Sequence, residues 1–211
     1  MILLVAAMMD EVKEIVPSLK LIESHPFHIY EGKIKTQDVS LVLTGIGRVN
    51  AASGTTYAIM KYQSKISLII NIGIAGGYQV LTHHPYIVNR ATYSDFDLTV
   101  FKYEHGQVPK MPKWFKLNKA FDDKLAHFHK ADIYSGDFFG TQPIVLEPHL
   151  VDMESVGIFQ VGEIFNVPVL SLKVVSDLIG EKHQMDQYKE SEINLAGLIL
   201  ETLNHLMEAI I

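Results

Sequence analysis

Glu11, Glu154 and Asp177 each stand close behind an apolar, strand-like run of the chain: residues 2–7, the short Leu150-Val151, and residues 167–175. In an open α/β sheet the ligand crevice lies at the carboxyl ends of the strands, so acids far apart in sequence can meet there. Three carboxyl groups around one cleft suit general acid/base work on an oxygen-rich substrate. Each acid also has a plainer reading. Asp10 and Glu11 open a predicted helix and complement its dipole, Glu154 does the same for a later helix, and Asp177 is placed as an N-cap. Their shared position at strand exits points to an enzyme.

Two glycine-rich segments, Thr44-Gly45-Ile46-Gly47 and residues 71–77 (Asn-Ile-Gly-Ile-Ala-Gly-Gly), are expected to be turns at the ends of two further strands. Glycine lets backbone N–H groups approach a ligand closely. Neither segment reads G-x-G-x-x-G, and no acid follows at the ribose spacing, so a shared ligand cleft is expected rather than a dinucleotide fold. Ten histidines invite a metal reading, but His83-His84 are adjacent, His127 and His129 share no helical face, and no H-E-x-x-H occurs. No metal and no cofactor are expected. The aromatic residues Phe101, Tyr103 and Trp114 lie in a proline-interrupted stretch and point to ligand stacking or an interface.

The elements that must position these residues alternate between strands and helices, as in a largely parallel sheet covered on both faces. Helices are predicted from Asp10 to a stop at Pro17, over 50–62, 118–129 and 154–165, and from about Asp186 to Ile211. A hairpin is predicted within 28–35. A length of 211 residues suits a single domain over 1–211, and 48% hydrophobic residues supply a core. The net charge of −6 shows no basic stripe for nucleic acid or an anionic membrane. Arg48 and Arg90 are the only arginines, which leaves few clamps for phosphate. Without cysteine there is no disulfide framework. No run approaches the roughly 18 apolar residues of a membrane span. A soluble, cytoplasmic protein is expected.

Taken together, these segments resemble the 5'-methylthioadenosine/S-adenosylhomocysteine nucleosidases of the purine nucleoside phosphorylase-like superfamily. The likeness runs through Ala7-Met8 to Glu11-Val12, residues 44–49, residues 71–77, Phe101-x-Tyr103-Glu104-x-Gly106-Gln107-x-Pro109, Ser135-Gly136-Asp137, residues 151–154 and Ser176-Asp177. It implies a three-layer α/β/α fold with a mixed central sheet. It further implies that Glu11 activates the attacking water, Asp177 protonates the purine at N7, and Glu154, beside Met153, holds the ribose hydroxyls. Phe139 and Gly140 match purine-stacking and backbone-reading positions, and Met8, Gly76 and Ser176 join the substrate-binding set. Tyr188 matches an aromatic lid after a one-residue shift. Phe101, Tyr103 and Pro109 match residues that complete the neighbouring subunit's pocket, which implies a homodimer. The chain departs from the pattern at Ile74, where a serine is usual, in its short 140–150 segment, and at Thr82-His83-His84-Pro85.

The loop with Asp10-Glu11 would repel phosphate, and the turn at Ile74 carries no arginine, so hydrolysis is expected over phosphorolysis. A futalosine-type or other purine N-ribohydrolase, or a non-catalytic nucleoside-binding protein, are the alternative readings.

Overall fold

The computed structural model describes residues 1–210, apart from the side chain at position 193. Strand β1 (Ile2–Ala6) leads into a single-turn helix, α1 (Met9–Val12), and a 3₁₀ turn containing Pro17. Then come β2 (Leu19–Glu23), β3 (His28–Ile34), β4 (Gln37–Leu43) and helix α2 (Arg48–Tyr62). Strands β5 (Leu68–Tyr78), β6 (Pro85–Tyr93), β7 (Phe115–Lys116), β8 (Lys130–Ser135) and β9 (His149–Asp152) precede helix α3 (Ser155–Phe165). The chain finishes with β10 (Val169–Leu178), α4 (Gln184–Asn194) and α5 (Ala196–Ile210). No helix among the described residues is long and apolar enough to cross a membrane.

The strands form one mixed sheet. In one direction from β5 it runs through β1, β4, β3 and β2; in the other, β5, β10, β6, β8 and β9 close into a ring, because β5 pairs with both β10 and β9. Strand alternation sets the layers. Ile2, Leu4 and Ala6 of β1 pack in one cluster with Ile199, Leu203 and Leu206 of α5. Leu3 and Val5 pack in the other with Ala51 and Ala58 of α2 and Val156 and Phe159 of α3. This is the expected α/β/α arrangement.

Four local expectations are corrected. Residues 28–34 form one strand, and the hairpin turn falls between β3 and β4, after Ile34. Gly32 sits within β3 because Leu19 of β2 occupies the space a side chain would need. Residues 71–77 are not a turn either: they continue β5, paired with β10 up to Leu178↔Gly77. The glycines there make room for neighbours, not for a change of direction. Residues 118–129 hold only a short 3₁₀ segment, Lys119–Phe121, whose N-cap Asn118 side chain accepts from the Ala120 N–H at 3.0 Å. Their periodicity reflected core contacts all the same: Leu125 is fully buried, and Phe121 and Phe128 pack on the cluster below α5. The last helix is split at Leu195, which is buried between α4 and α5; its expected end at Ile211 lies outside the described residues.

Near the carboxyl end of β10 the register to β5 slips between Val175 and Asp177, so that Asp177 faces Gly76 and Ser176 is the extra residue. Bulges of this kind re-aim a side chain beside a site. The adjoining Gly77 is enclosed: a Cβ would overlap Val80 and stand 2.9 Å from a Val175 methyl. Gly77→Ala is expected to lower unfolding stability by about 1–3 kcal/mol, read from denaturant titration, as overpacking of a rigid site does.

Candidate active site

The carboxyl ends of β1, β5, β9 and β10 open onto one partly open cleft. Glu11, Glu154 and Asp177 all line it, as do Met8, Gly76, Phe139, Gly140, Met153, Ser176 and Tyr188. The two glycine-bearing segments also meet here, through Ile46 and through residues 74–76. Asp152 supplies a fourth carboxylate, and no lysine or arginine among the described residues lines the wall.

Glu11 and Glu154 are fixed by backbone donors, Asp177 by side-chain donors. Glu11, near the start of α1, reaches back so that Oε2 accepts from the N–H groups of Ala7 (3.1 Å) and Met8 (2.9 Å), while Oε1 accepts from Ile74 N–H (3.0 Å). It therefore decorates a helix start and faces the cavity at once. Burial pushes its carboxyl up from the ordinary value, opposed by the charge of Lys173 and these N–H bonds. Glu154 sits at the N-cap of α3 without capping it; its Oε1 accepts from Gly47 N–H at 2.8 Å and its Oε2 from Met153 N–H at 3.3 Å. The left-handed backbone of Gly47 (φ 101°) belongs to the turn that delivers this donor. Burial, then the neighbouring Asp152 carboxylate, push Glu154 up to about 7.

Asp177 is likewise not an N-cap, since it lies within β10. Its Oδ1 accepts from Ser176 Oγ at 2.5 Å and its Oδ2 from Gln184 Nε2 at 2.8 Å. Burial pushes its carboxyl up and the two hydrogen bonds pull it down, with burial the stronger. Phe139 and Tyr188 meet edge to face with centroids 5.3 Å apart, forming an aromatic wall; Tyr188 of α4 does reach the cavity. The loop bearing Ile46 and Gly47 is tied down by Arg48. Its guanidinium bridges Asp95 and Asp137, with Nη2 at 2.7 and 2.8 Å from one oxygen of each.

The sequence reading missed the group on which the acids depend. Lys173 of β10 is fully buried, with Nζ 3.1 Å from Asp152 Oδ2. Asp152 is held in turn by Ser135 Oγ and by the Ser155 hydroxyl, each at 2.5 Å, and by Ser155 N–H at 3.0 Å. Burial works to lower the Lys173 pKa, but Asp152, Glu154 and Glu11 offset it and keep the ammonium above its ordinary value. Gly73 is the gap that makes this possible, because a Cβ there would lie 3.0 Å from Glu11 Cδ and 3.2 Å from Lys173 Nζ. The available signal was a lone lysine inside the apolar run 167–175, since lysine is almost never fully buried unless paired.

Phe101, Tyr103 and Pro109 do not line this cavity; Phe101 is 68% exposed and Val100 beside it 81%. Trp114 separates from them. It packs edge-on against Tyr134 (5.4 Å) and under the Arg90 guanidinium (4.0 Å), so it takes part in the chain's own packing. His84 and His129 stack edge to face at 4.5 Å, away from the carboxylates.

Lys173→Met is expected to destabilise the fold by about 3–5 kcal/mol, because it strands buried carboxylates without their counter-charge. Urea titrations at pH 5 and pH 8 check this. The loss is expected to be larger at pH 8, where protonation no longer relieves the acids.

Comparison with known proteins agrees with this geometry. The Phosphorylase superfamily model matches residues 1–204. A 5'-methylthioadenosine/S-adenosylhomocysteine nucleosidase of Desulfotalea psychrophila is 30% identical, over 97% of each chain. Its counterpart in Halalkalibacterium halodurans is 33% identical over 84% of this chain and 85% of its own. Among solved structures, one from Borrelia burgdorferi bound to adenine, and assigned to the same nucleosidases, superimposes with a TM-score of 0.90 at 31% identity, covering 99% of both chains. The S. pneumoniae nucleosidase with a transition-state inhibitor gives 0.91 at 25% identity over 100% of this chain and 99% of its own. The chain belongs to the phosphorylase superfamily and, within it, to the 5'-methylthioadenosine/S-adenosylhomocysteine nucleosidases.

Proposed function

We propose that this protein hydrolyses the N-glycosidic bond of 5'-methylthioadenosine and S-adenosylhomocysteine, releasing adenine and the thioribose product without phosphate. The observation that carries the reading is the meeting of Glu11, Glu154 and Asp177 in one cavity whose wall, among the described residues, offers carboxylates and no lysine or arginine. A phosphate nucleophile would meet four acids there; water meets none of that repulsion.

The chemistry follows from the charges that develop. Breaking the bond leaves an oxocarbenium-like ribose and an adenine that is a poor leaving anion. Asp177, pushed up by burial, supplies a proton to N7 so that adenine departs neutral. Glu154 keeps lone pairs free beyond the Gly47 and Met153 N–H bonds and accepts from the ribose hydroxyls. Glu11, held on both oxygens by backbone donors, takes a proton from the attacking water; burial brings its basicity nearer to neutral pH. Lys173 balances the charge of Glu11 and Glu154 from behind the wall. Phe139, against Tyr188, offers an aromatic surface for the base.

The reading is tested by incubating the pure protein with 5'-methylthioadenosine in phosphate-free buffer and assaying free adenine. S-adenosylhomocysteine, adenosine, inosine and futalosine complete the panel. No adenine from either thioether would overturn it. Asp177→Asn is expected to lower turnover by about 10²–10⁴-fold while the protein still folds and binds nucleoside, since an amide cannot deliver the proton. Retention of a tenth of the activity would place the acid elsewhere.

The reading extends to a homodimer in which Phe101, Tyr103 and Pro109 close the partner's 5' pocket. Its support is the exposure of Val100 and Phe101, together with a groove where exposed Val49 and Ile164 meet Phe96 and Val108. Truncating a buried aromatic anchor commonly costs at least about 2 kcal/mol. Phe101→Ala is therefore expected to raise KM for the thioether substrates more than for adenosine, which lacks the 5' substituent. Equal changes, or full activity in a sample shown by ultracentrifugation to be monomeric, would remove the shared pocket.

A further inference from the structure

Gln184, the first residue of α4, takes no part in the mechanism above, yet its side chain is buried against the catalytic acid. Its single amide nitrogen donates to two acceptors, Asp177 Oδ2 at 2.8 Å and the Gly140 carbonyl at 2.7 Å. Its Oε1 accepts from Gly180 N–H at 3.2 Å. Gly140 and Asp177 both line the cavity, so Gln184 spends both amide hydrogens on residues of the cavity wall.

The geometry of a purine makes this placement informative. N7 and the substituent at C6 lie on the same edge of the base. A base whose N7 takes a proton from Asp177 therefore brings its 6-substituent against the neighbouring acceptors. An exocyclic amine is planar and carries two in-plane hydrogens, as a carboxamide NH₂ does. Two acceptors that one amide nitrogen can bridge are also bridged by one amine nitrogen. A 6-oxo group would turn its lone pairs on a carboxylate and a carbonyl, a mismatch of the kind that discriminates strongly in a buried site.

We propose that Gln184 is an internal competitor for the base, its amide standing in for the 6-amino group and holding Gly140 and Asp177 Oδ2 until a 6-aminopurine displaces it. The inference rests on the nucleosidase reading and adds to it an internal competitor. While Gln184 is in place, Asp177 accepts donors on both oxygens, an arrangement for the ionised acid. Ser176 Oγ has an alternative acceptor in the Ala75 carbonyl at 3.2 Å, so its hydroxyl can turn away from Oδ1. Departure of Gln184 leaves Oδ2 to the incoming amine.

The test compares adenine, unsubstituted purine and hypoxanthine by calorimetry on the wild type and on Gln184→Met, which keeps the length of the side chain and removes both donors. Adenine is expected to bind Gln184→Met tighter, on the order of tenfold, as the two competing hydrogen bonds are lost. Purine is expected to change by less than about twofold, since it brings no amine to compete with Gln184 for the two acceptors, and hypoxanthine is expected to bind no tighter, since its 6-oxo group would face them uncovered. Wild-type protein labelled with ¹⁵N at glutamine provides a second reading that needs no variant to fold: saturation with adenine shifts the Gln184 side-chain NH₂ signal and purine leaves it in place. An unmoved signal, or equal changes for adenine and purine in Gln184→Met, would make Gln184 a fixed wall and overturn the proposal. If the wild type neither releases adenine from 5'-methylthioadenosine nor binds it, the nucleosidase reading itself falls. Release of adenine together with a fixed Gln184 sinks only the present inference.

Discussion

The buried ion pair between Lys173 and Asp152 is the constraint on which the site depends. Glu11, Asp152 and Glu154 cannot be buried together beside one cavity without a counter-charge, because each ionised acid raises the cost of ionising the next. Lys173 supplies that charge from within β10, behind the wall. Asp152, fully hydrogen-bonded by Ser135 and Ser155, takes the direct contact. Glu11 and Glu154 then feel the ammonium without being neutralised by it, which leaves their oxygens available to the cavity.

The sheet exists in a form that suits this arrangement. Closing β5, β10, β6, β8 and β9 into a ring brings residues far apart in sequence into mutual contact. Asn71 of β5 donates to Ser171 of β10 at 3.0 Å and to Ser155 of α3 at 2.8 Å. These polar side chains, buried among apolar strands, are satisfied by one another, as the cost of an unpaired buried group requires. The glycines of β5 serve the same end: Gly73 admits Glu11 and Lys173, and Gly76 lies opposite Asp177 at the bulge.

Hydrolysis and phosphorolysis on this fold differ in what the cavity must hold beside the ribose. Here the wall is anionic and its one nearby cation is already committed to three acids. The same charge distribution favours departure of a neutral base and discourages an anionic nucleophile. Arg48, one of only two arginines, is spent outside the cavity on Asp95 and Asp137. That clamp anchors the turn whose Gly47 N–H fixes Glu154, so an arginine that binds no phosphate still shapes the site.

Much of the site was legible in the linear sequence. Glu11, Glu154 and Asp177 closely follow the apolar runs of β1, β9 and β10, and that local placement becomes convergence once the strands join one sheet. The unbroken apolar run of β1, the small residues of α2 and the apolar stripe of α5 were readable for the same reason: each is a local pattern of its own element. Residues 71–77 misled because glycine has two uses. Taken alone, a glycine-rich run signals a turn; in β5 it clears space for side chains that arrive from α1 and β10. Residues 118–129 misled because helical spacing and core contact coincide over short stretches. Only the tertiary structure decided which residues beyond the three acids take part in the charge chemistry. Lys173 gained its role from three acids supplied by α1, β9 and the start of α3, and Gln184 gained its role from a carbonyl 44 residues away. The strength of a buried charge or an amide is set by what surrounds it, and no local window of sequence contains those surroundings.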